Sequence, residues 1–114
     1  MRKLFLLFAL LLGVVAVSAQ GLSETELWYT SADGNVVTPN YEDHFGDATI
    51  VSNVYQDGKG VITFDRKLTC IGDYAFMDCD NLTSIEIPNG VESIGSLAFY
   101  GVALTSITLP VSKP

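Results

Sequence analysis

The chain has 114 residues, of which 48% are hydrophobic, and it carries a formal net charge of −7 at pH 7. This length accommodates one small domain with a modest core after an N-terminal targeting segment. Because an acidic surface repels phosphate groups, the charge argues against binding to nucleic acid or to an anionic membrane surface.

Residues 1–19 have the three parts of a secretory signal peptide. Arg2 and Lys3 precede an apolar run, and Val17-Ser18-Ala19 places small residues at a cleavage site. A transmembrane anchor is the alternative interpretation, but the apolar run is shorter than the roughly 20 residues that cross a bilayer. We predict cleavage after Ala19, export to the medium or the cell surface, and no membrane insertion of the mature chain.

The mature chain, residues 20–114, is more acidic than the precursor. It keeps all 13 acidic residues and has a net charge of −9, because only four basic residues remain: Lys59, Arg66, Lys67 and Lys113.

Residues 20–60 show no internal repeat and predict an N-terminal β cap. Asp33-Gly34-Asn35 lies between two apolar stretches, 27–30 and 36–38, and Asp-Gly is a strong signal for the tight turn of a β-hairpin. A second hairpin is predicted from the extended segments 48–55 and 61–64. We expect these hairpins to cover the first unit of a repeat, which would otherwise expose unpaired strand edges.

Residues 61–114 contain the repeat. Segments 71–76 and 94–99 agree at four of six positions at an offset of 23, and segments 82–88 and 104–110 agree at five of seven at an offset of 22. Extending the spacing upstream predicts two apolar columns, Ile62 with Ile85 and Ile107, and Phe64 with Ile87 and Leu109. A period of about 20 to 29 residues is typical of a leucine-rich solenoid, here with about two to three coils.

Each repeat unit predicts a short strand, a turn and a helical turn. Ile85-Glu86-Ile87 alternates as a strand does, with the isoleucines inward and Glu86 outward. Pro88-Asn89-Gly90 then predicts a bend, with the positive φ that Asn-Gly readily adopts. After Gly95, the spacing of Ala98 and Phe99 predicts one helical turn, with Phe99 as a large core residue. The predicted fold is therefore mainly β with short helical turns.

These residues resemble the BspA-like leucine-rich repeats. The resemblance covers about residues 61–110 and rests on three stretches: 70–76 (CIGDYAF), 79–88 (CDNLTSIEIP) and 91–95 (VESIG). It implies a surface or secreted protein of the Bacteroidetes type, associated with adhesion to host proteins or to other microbes. The chain departs from the family in being short, since members usually carry many more repeats.

The outward positions of the repeat strands are the predicted binding face. These positions are Ser84, Glu86, Ser106 and Thr108. Stacked strands of solenoids present such rows to protein ligands. A plain solvated face is the alternative.

Catalytic and metal-binding patterns have little support in the sequence. His44 with Asp43 and Asp47 matches no defined metal-ligand spacing, and Asp73, Asp78 and Asp80 lack the glycine and glutamate of a calcium loop. No serine or cysteine stands at a motif spacing from His44. We predict no cofactor, no metal and no catalytic residue.

The two cysteines are predicted to point in opposite directions. Cys79 corresponds to Val102 at the 23-residue offset and so points into the coil, whereas Cys70 corresponds to Ser93 and faces outward. This arrangement argues against a disulfide between them.

Export, repeats and missing catalytic groups together favour a non-catalytic protein-binding or adhesion module with a host or microbial protein as partner. A structural role is the alternative, in which the segment begins a longer repeat array or assembles end to end. A hydrolase or metalloprotein centred on His44 is the third hypothesis.

Overall fold

The computed structural model describes residues 23–41 and 43–110, so the predicted signal peptide lies outside the described residues. The described residues form seven strands and no helix: β1 (Glu26–Ser31), β2 (Ile50–Gln56), β3 (Lys59–Phe64), β4 (Cys70–Ile71), β5 (Leu82–Glu86), β6 (Ser93–Ile94) and β7 (Ser106–Thr108). Five strands form one sheet in the order β2-β3-β1-β5-β7, and β4 pairs with β6 in a second sheet. The prediction of a mainly β protein is confirmed.

The second predicted hairpin is present as β2 and β3. These strands pair antiparallel, and the last pair before the turn is Gln56 with Lys59. Asp57 and Gly58 connect them with φ values of 55° and 80°. Positive φ at both central residues is the geometry of a two-residue turn that matches the twist of the flanking strands.

The first predicted hairpin is wrong. Residues 36–39 form no strand, and β1 instead pairs antiparallel with β3 along one edge and with β5 along the other. Both edges of β1 are therefore occupied, which leaves no place for a hairpin partner. The Asp33–Asn35 turn itself is tight, because the Asn35 amide donates to Asp33 Oδ1 at 3.1 Å and Gly34 has a φ of 74°.

The position of β1 between β3 and β5 also contradicts part of the first predicted apolar column, which consisted of Ile62, Ile85 and Ile107. Ile62 lies opposite Leu27, and Ile85 lies opposite Tyr29, so β1 separates the two isoleucines that the repeat spacing had placed in contact. Ile62 and Ile85 are both buried on the inner face of the sheet. The predicted contact of Ile85 with Ile107 is confirmed by the parallel register of β5 and β7.

Backbone hydrogen bonds join two consecutive repeat units, here named the first coil (residues 69–91) and the second coil (residues 92–109). The bonds run from Glu92 to Thr69, Gly95 to Ile71, Phe76 to Ala98, Thr105 to Thr83 and Ile87 to Thr108, with donor to acceptor distances between 2.6 and 2.8 Å. The pairs β4–β6 and β5–β7 are both parallel. Chain segments that are equivalent in the repeat therefore lie side by side.

The predicted helical turns are wrong. Residues 72–79 form successive tight turns, in which Ala75, Met77 and Cys79 donate to the carbonyl three residues earlier. Tyr74 and Asp78 have φ values of 63° and 60°, and a residue in this left-handed region cannot continue a right-handed helix. The turns leave the amides of Tyr74, Phe76 and Asp78 to donate to the second coil at 2.8 to 3.1 Å.

Phe76 lies at the centre of the core. Its side chain is fully buried, at an edge-to-face angle to Phe45 with ring centroids 6.0 Å apart, and stacked on Phe99 at 5.5 Å. Phe99 is only partly buried, so the prediction of a large core residue at that position is met in part. Ile85, Glu86 and Ile87 alternate in burial as predicted, with only Glu86 exposed.

The bend after Ile87 forms as predicted but for a different reason. Val91 donates to Pro88 at 3.1 Å, yet neither Asn89 nor Gly90 has a positive φ. A Cβ at Gly90 would lie 2.8 Å from Lys67 Cε and 3.1 Å from the Leu68 carbonyl oxygen. Glycine at this position therefore permits close packing against the chain that precedes the first coil.

Candidate functional site

The face of the five-stranded sheet that points away from the core carries the predicted binding residues. Ser84 lies directly opposite Ser106 and Glu86 directly opposite Thr108, so the structure brings all four together on β5 and β7. Residues directly opposite each other on paired strands share one face. We name this surface the outer sheet face.

The outer sheet face extends across β1, β3 and β2, which sequence reasoning missed. Trp28 lies opposite Glu86 on one side and opposite Val61 on the other, and Val61 lies opposite Val54. One row therefore crosses the sheet from Val54 through Trp28 to Thr108. Side-chain alternation along a strand could have shown that Trp28 points away from its two chain neighbours, but no sequence signal placed β1 beside β5.

Trp28 is held at the middle of this face by polar neighbours. Its indole Nε1 donates to Glu26 Oε1 at 3.0 Å, and Lys59 Nζ lies 3.6 Å from the ring centroid. An ammonium group over an indole ring is attracted by the negative ring face. These contacts fix the ring orientation and leave Trp28 half-buried, with part of its surface open to solvent.

A cluster of hydroxyl groups joins β1 to β5 on the same sheet. Thr30 Oγ1 lies 2.5 Å from Ser84 Oγ and 2.8 Å from Thr83 Oγ1. Ser84 therefore already has a hydrogen-bond partner within the chain. Glu86 and Thr108 are exposed, and Glu86 supplies a negative charge next to Trp28.

An open groove lies on the outer side of the β2–β3 hairpin. It is lined by side chains of both charge types and of apolar character, namely Ser52, Val54, Gln56, Asp57, Lys59, Val61 and Thr63. Val54 is 49% exposed and lies on β2, at the edge of the sheet. The groove continues the outer sheet face beyond Trp28.

His44 and Asp73 make contacts that join neighbouring segments of the chain. His44 Nδ1 lies 2.9 Å from the Asp73 carbonyl oxygen, and the ring stacks on Tyr41 at 4.4 Å. The carboxylate of Asp73 accepts a hydrogen bond from the Ser96 amide at 2.7 Å and so links the two coils. Within residues 23–41 and 43–110, no group of three or more histidine, cysteine or acidic side chains is placed to hold a metal ion.

Cys70 and Cys79 are both free thiols, each partly buried. Cys79 packs against the core, in agreement with its predicted inward direction. Burial raises the pKa of the Cys79 thiol, and the neighbouring Asp80 and Asp78 carboxylates raise this pKa further. A raised pKa keeps the group protonated and makes it a poor nucleophile at neutral pH.

Comparison with known proteins identifies one family. Residues 49–113 match the family described as "BspA type Leucine rich repeat region", in six copies. Repeats of this type generally mediate protein–protein interaction without catalysis, and the proteins that carry them are typically secreted or displayed at the surface. No curated protein and no solved structure matches the chain. Among the described residues, no helix is long and apolar enough to span a membrane.

Proposed function

The chain belongs to the BspA-type leucine-rich repeat family, and from this premise we propose that it is an exported, non-catalytic module that binds a protein partner through its outer sheet face. The single observation that carries the proposal is the row that crosses this face, in which Trp28 is flanked by Val61 and Glu86. Tryptophan is enriched among the residues that contribute most to protein–protein binding, because it buries a large apolar surface around one polar N–H.

The arrangement of polar groups around Trp28 supports recognition of a protein surface. Five strands spaced about 4.8 Å apart give a face roughly 20 Å wide, which is comparable with a small protein–protein interface. An aromatic centre with a polar rim is the usual composition of such an interface. Glu26, Lys59 and Glu86 supply charges of both signs beside the ring and favour a partner of complementary charge.

We further propose that the two coils are the start of a solenoid and that the N-terminal strands close its upstream end. Parallel pairing at β4–β6 and at β5–β7, one repeat apart, supports the solenoid, because each coil then buries its apolar face against its neighbour. Antiparallel pairing of β1 with β5 supports a cap of residues 20–60, since it ends the parallel stack on that side.

Export is the third part of the proposal. Its support is the signal-peptide pattern of residues 1–19 together with the typical location of the family. An extracellular protein with an acidic net charge and a structured binding face suits adhesion to proteins of a host or of other microbes.

The experiment measures binding of the purified protein to immobilised extracellular-matrix proteins and to whole microbial cells, with the Trp28→Ala variant beside the unchanged chain. We expect Trp28→Ala to weaken binding at least tenfold, since truncation of a central tryptophan costs about 2 kcal/mol or more. Tyr41→Ala is the matched control, because Tyr41 is an aromatic residue that is 48% exposed and lies outside the sheet.

Two outcomes contradict the proposal. One is the absence of binding to every immobilised protein and cell type tested. The other is an equal loss of binding in Trp28→Ala and Tyr41→Ala while both variants keep the circular dichroism spectrum of the unchanged chain. Cleavage of the signal peptide is tested separately, by N-terminal sequencing of protein recovered from the culture medium.

A further inference from the structure

Strand β2 forms one edge of the five-stranded sheet and pairs only with β3 in the part of the chain that the structure describes. The register of this pair shifts between Ile50 and Ser52 and is then regular as far as Gln56. The opposite edge is β7, which has three residues, whereas β2 has seven. We name the uncovered side of residues 52–56 the free edge.

Backbone groups of Asn53 and Tyr55 point out of the free edge. Both residues lie opposite β3 residues that turn their own amides toward β1, in the pattern of Phe64, which donates to Thr25 at 2.8 Å. In an antiparallel pair, residues that exchange hydrogen bonds with the partner strand alternate with residues that do not. The amide and carbonyl groups of Asn53 and Tyr55 are therefore directed outward, where a further strand would meet them.

The side chains of the same two residues are held on the inner side of the sheet. Asn53 Oδ1 accepts a hydrogen bond from the Tyr29 hydroxyl at 2.7 Å, and Asn53 Nδ2 donates to the Val37 carbonyl at 2.8 Å. The Tyr55 hydroxyl accepts from the Ser31 amide at 3.2 Å. These contacts hold the free edge in its extended conformation, so an added strand would bind without first ordering β2.

The free edge lacks the charged residues and prolines that keep sheet edges from pairing. Edge strands of proteins commonly carry a lysine, a proline or an inward-pointing charge that blocks a further strand. Residues 48–56 contain no charged residue and no proline, and Val51 and Val54 are 64% and 49% exposed. An uncharged edge with exposed valines favours the addition of a strand.

Carboxylates stand at both ends of the free edge. Asp57 directly follows β2 and is exposed, and among the described residues its carboxylate has no ion-pair partner. At the other end, Asp65 accepts a hydrogen bond from the Thr49 amide at 2.8 Å. Arg66 lies 3.4 Å from the Asp65 carboxylate and 3.8 Å from that of Asp47. One guanidinium group between two carboxylates leaves a net negative charge, so the edge is complementary to a segment with a basic residue at each end.

From these observations we propose that β2 is a strand-addition site for an extended segment of the protein partner. The segment pairs antiparallel with the free edge, exchanges backbone hydrogen bonds with Asn53 and Tyr55, and places an apolar side chain beside Val54. Basic residues at its two ends face the carboxylates at the ends of β2. The proposal rests on the proposed function in taking the partner to be a protein, and it adds the conformation and the charge of the segment that binds.

The probe is a synthetic seven-residue peptide with lysine at both ends, valine at the second, fourth and sixth positions, and threonine between the valines. Nuclear magnetic resonance titration of the isotope-labelled protein measures its binding. We expect the amide proton signals of Asn53 and Tyr55 to shift, because these amides gain a hydrogen-bond acceptor. The same peptide with glutamate in place of both lysines should bind about tenfold more weakly, since attraction at both ends becomes repulsion.

Methylation of the peptide backbone tests whether the peptide pairs through its main chain. With the central valine beside Val54, the two threonines lie opposite Asn53 and Tyr55 and exchange hydrogen bonds with them. Methyl groups on both threonine amides should weaken binding at least roughly tenfold. Methyl groups on two valine amides, which point away from β2, should change binding less than about threefold. The two peptides carry equal numbers of methyl groups and differ in which side is blocked.

Substitutions in the protein test where the peptide binds. Val54→Lys adds a like charge at the free edge and should weaken binding of the lysine peptide about tenfold. Thr108→Lys is the matched control, because Thr108 is exposed and lies on β7 at the opposite edge, and this variant should bind like the unchanged protein. Asp57→Asn should weaken binding about two- to fivefold through the lost charge alone, since asparagine tolerates the positive φ of this turn.

Four outcomes overturn the proposal. They are amide signals of Asn53 and Tyr55 that do not shift at any peptide concentration; equal affinity for the lysine and glutamate peptides; an equal loss of binding with the two methylated peptides; and an equal loss of binding in Val54→Lys and Thr108→Lys. The amide spectrum of each variant confirms that it is folded before its affinity is interpreted.

Failure of strand addition is distinguishable from failure of the proposed function, because β3 separates the free edge from Trp28 on β1. A peptide that fails to bind while Trp28→Ala still weakens binding to whole proteins contradicts strand addition alone. A peptide that binds as expected while Trp28→Ala leaves binding to whole proteins unchanged supports strand addition and contradicts the central role of Trp28.

Discussion

The two coils have nearly the same sequence pattern and opposite environments. Ile85 is 1% exposed and Ile107, one repeat later and directly beside it in the sheet, is 42% exposed. The side chains are identical and point to the same face of the sheet. In a repeat protein, burial therefore depends on whether a further layer of chain lies alongside, and the amino acid itself does not determine it.

What lies on each side of the first coil explains this difference. The first coil is bounded upstream by β1, Asn40 and His44 and downstream by the second coil. The second coil has a neighbour on its upstream side only, within the described residues. The stability contributed by equivalent residues should differ accordingly, since apolar stabilisation scales with the area removed from water.

Replacement of the stacked phenylalanines should give the largest effect. Phe76→Ala should lower the free energy of unfolding by about 3 to 5 kcal/mol, because it leaves a cavity between Phe45 and Phe99. Phe99→Ala should cost roughly half as much, since Phe99 is only partly buried. Urea denaturation measures both.

Either of two results would contradict the expected difference in stability between the two coils. A cost below about 1 kcal/mol for Phe76→Ala would contradict its central position in the core. Equal costs for the two variants would mean that Phe99 is as well covered in solution as Phe76.

Gly95→Ala tests the contact between the coils themselves. A Cβ at this position would lie 2.4 Å from Asp73 Oδ1 and 2.5 Å from the Asp73 amide nitrogen, and the backbone cannot move aside without separating β4 from β6. We expect a loss of about 1 to 3 kcal/mol in unfolding free energy. Hydrogen exchange should accelerate at the amides of Glu92 and Gly95, which donate to the first coil.

Gly34→Ala is the control for backbone strain. Its φ is 74°, but a Cβ there would meet nothing within 4 Å, so any cost arises from backbone conformation alone. Exchange at Glu92 and Gly95 should not change in this variant. Faster exchange at these amides in both variants would show that general destabilisation, and not overlap at Gly95, weakens the contact between the coils.

Removal of one methyl group from the equivalent isoleucines gives a smaller and more direct comparison. Ile85→Val should cost about 0.5 to 1.5 kcal/mol, because Ile85 is buried between β1 and β7. Ile107→Val should cost less than about 0.5 kcal/mol, because Ile107 is 42% exposed. Urea denaturation measures both variants, and equal costs would contradict the difference in burial between the two positions.

The sequence predicted the part of the fold that the repeat controls. The offset of 22 residues paired Ile85 with Ile107 correctly, and the hairpin predicted from segments 48–55 and 61–64 is present as β2 and β3. The insertion of β1 between β3 and β5 could not be predicted in this way, because the pairing of Tyr29 with Ile85 joins segments that share no repeat. Contacts between distant, dissimilar segments leave no periodic signal.

The candidate site, like the fold, could be predicted only where it lies within the repeat. The strand alternation placed Ser84, Glu86, Ser106 and Thr108 on one outward surface, which the register of β5 and β7 brings together. Trp28 was missed as its neighbour because that contact also depends on the position of β1. The turns at Tyr74 and Asp78 were predicted as helical because a spacing of three to four residues suits both structures, and positive φ at residues other than glycine is uncommon enough to escape a pattern.

The Cys79 thiol should give the smallest effect. Its test reports on the first coil alone, because the second coil has Val102 at the position equivalent to Cys79 and Ser93 at the position equivalent to Cys70. Cys70→Ser therefore leaves Cys79 as the only thiol. Burial, with Asp80 and Asp78 nearby, raises the pKa of the Cys79 thiol above its ordinary value. Alkylation by iodoacetamide should be slower in the folded chain than in urea, and the midpoint of its pH profile should lie at a higher pH.

The raised pKa of the Cys79 thiol determines whether the stability of the folded chain rises or falls with pH. A folded-state pKa above the unfolded value means that the thiol contributes its full stability below the unfolded pKa and loses it as the pH rises through the folded pKa. The Cys70→Ser chain should therefore lose stability above about pH 9. Replacing Cys79 as well with valine, the residue of the second coil, should remove the part of this alkaline loss that comes from the thiol. Identical pH profiles for the two chains would show that the Cys79 thiol is as accessible to water in the folded state as in the unfolded one, and that the first coil is more open there than its contacts with the core indicate.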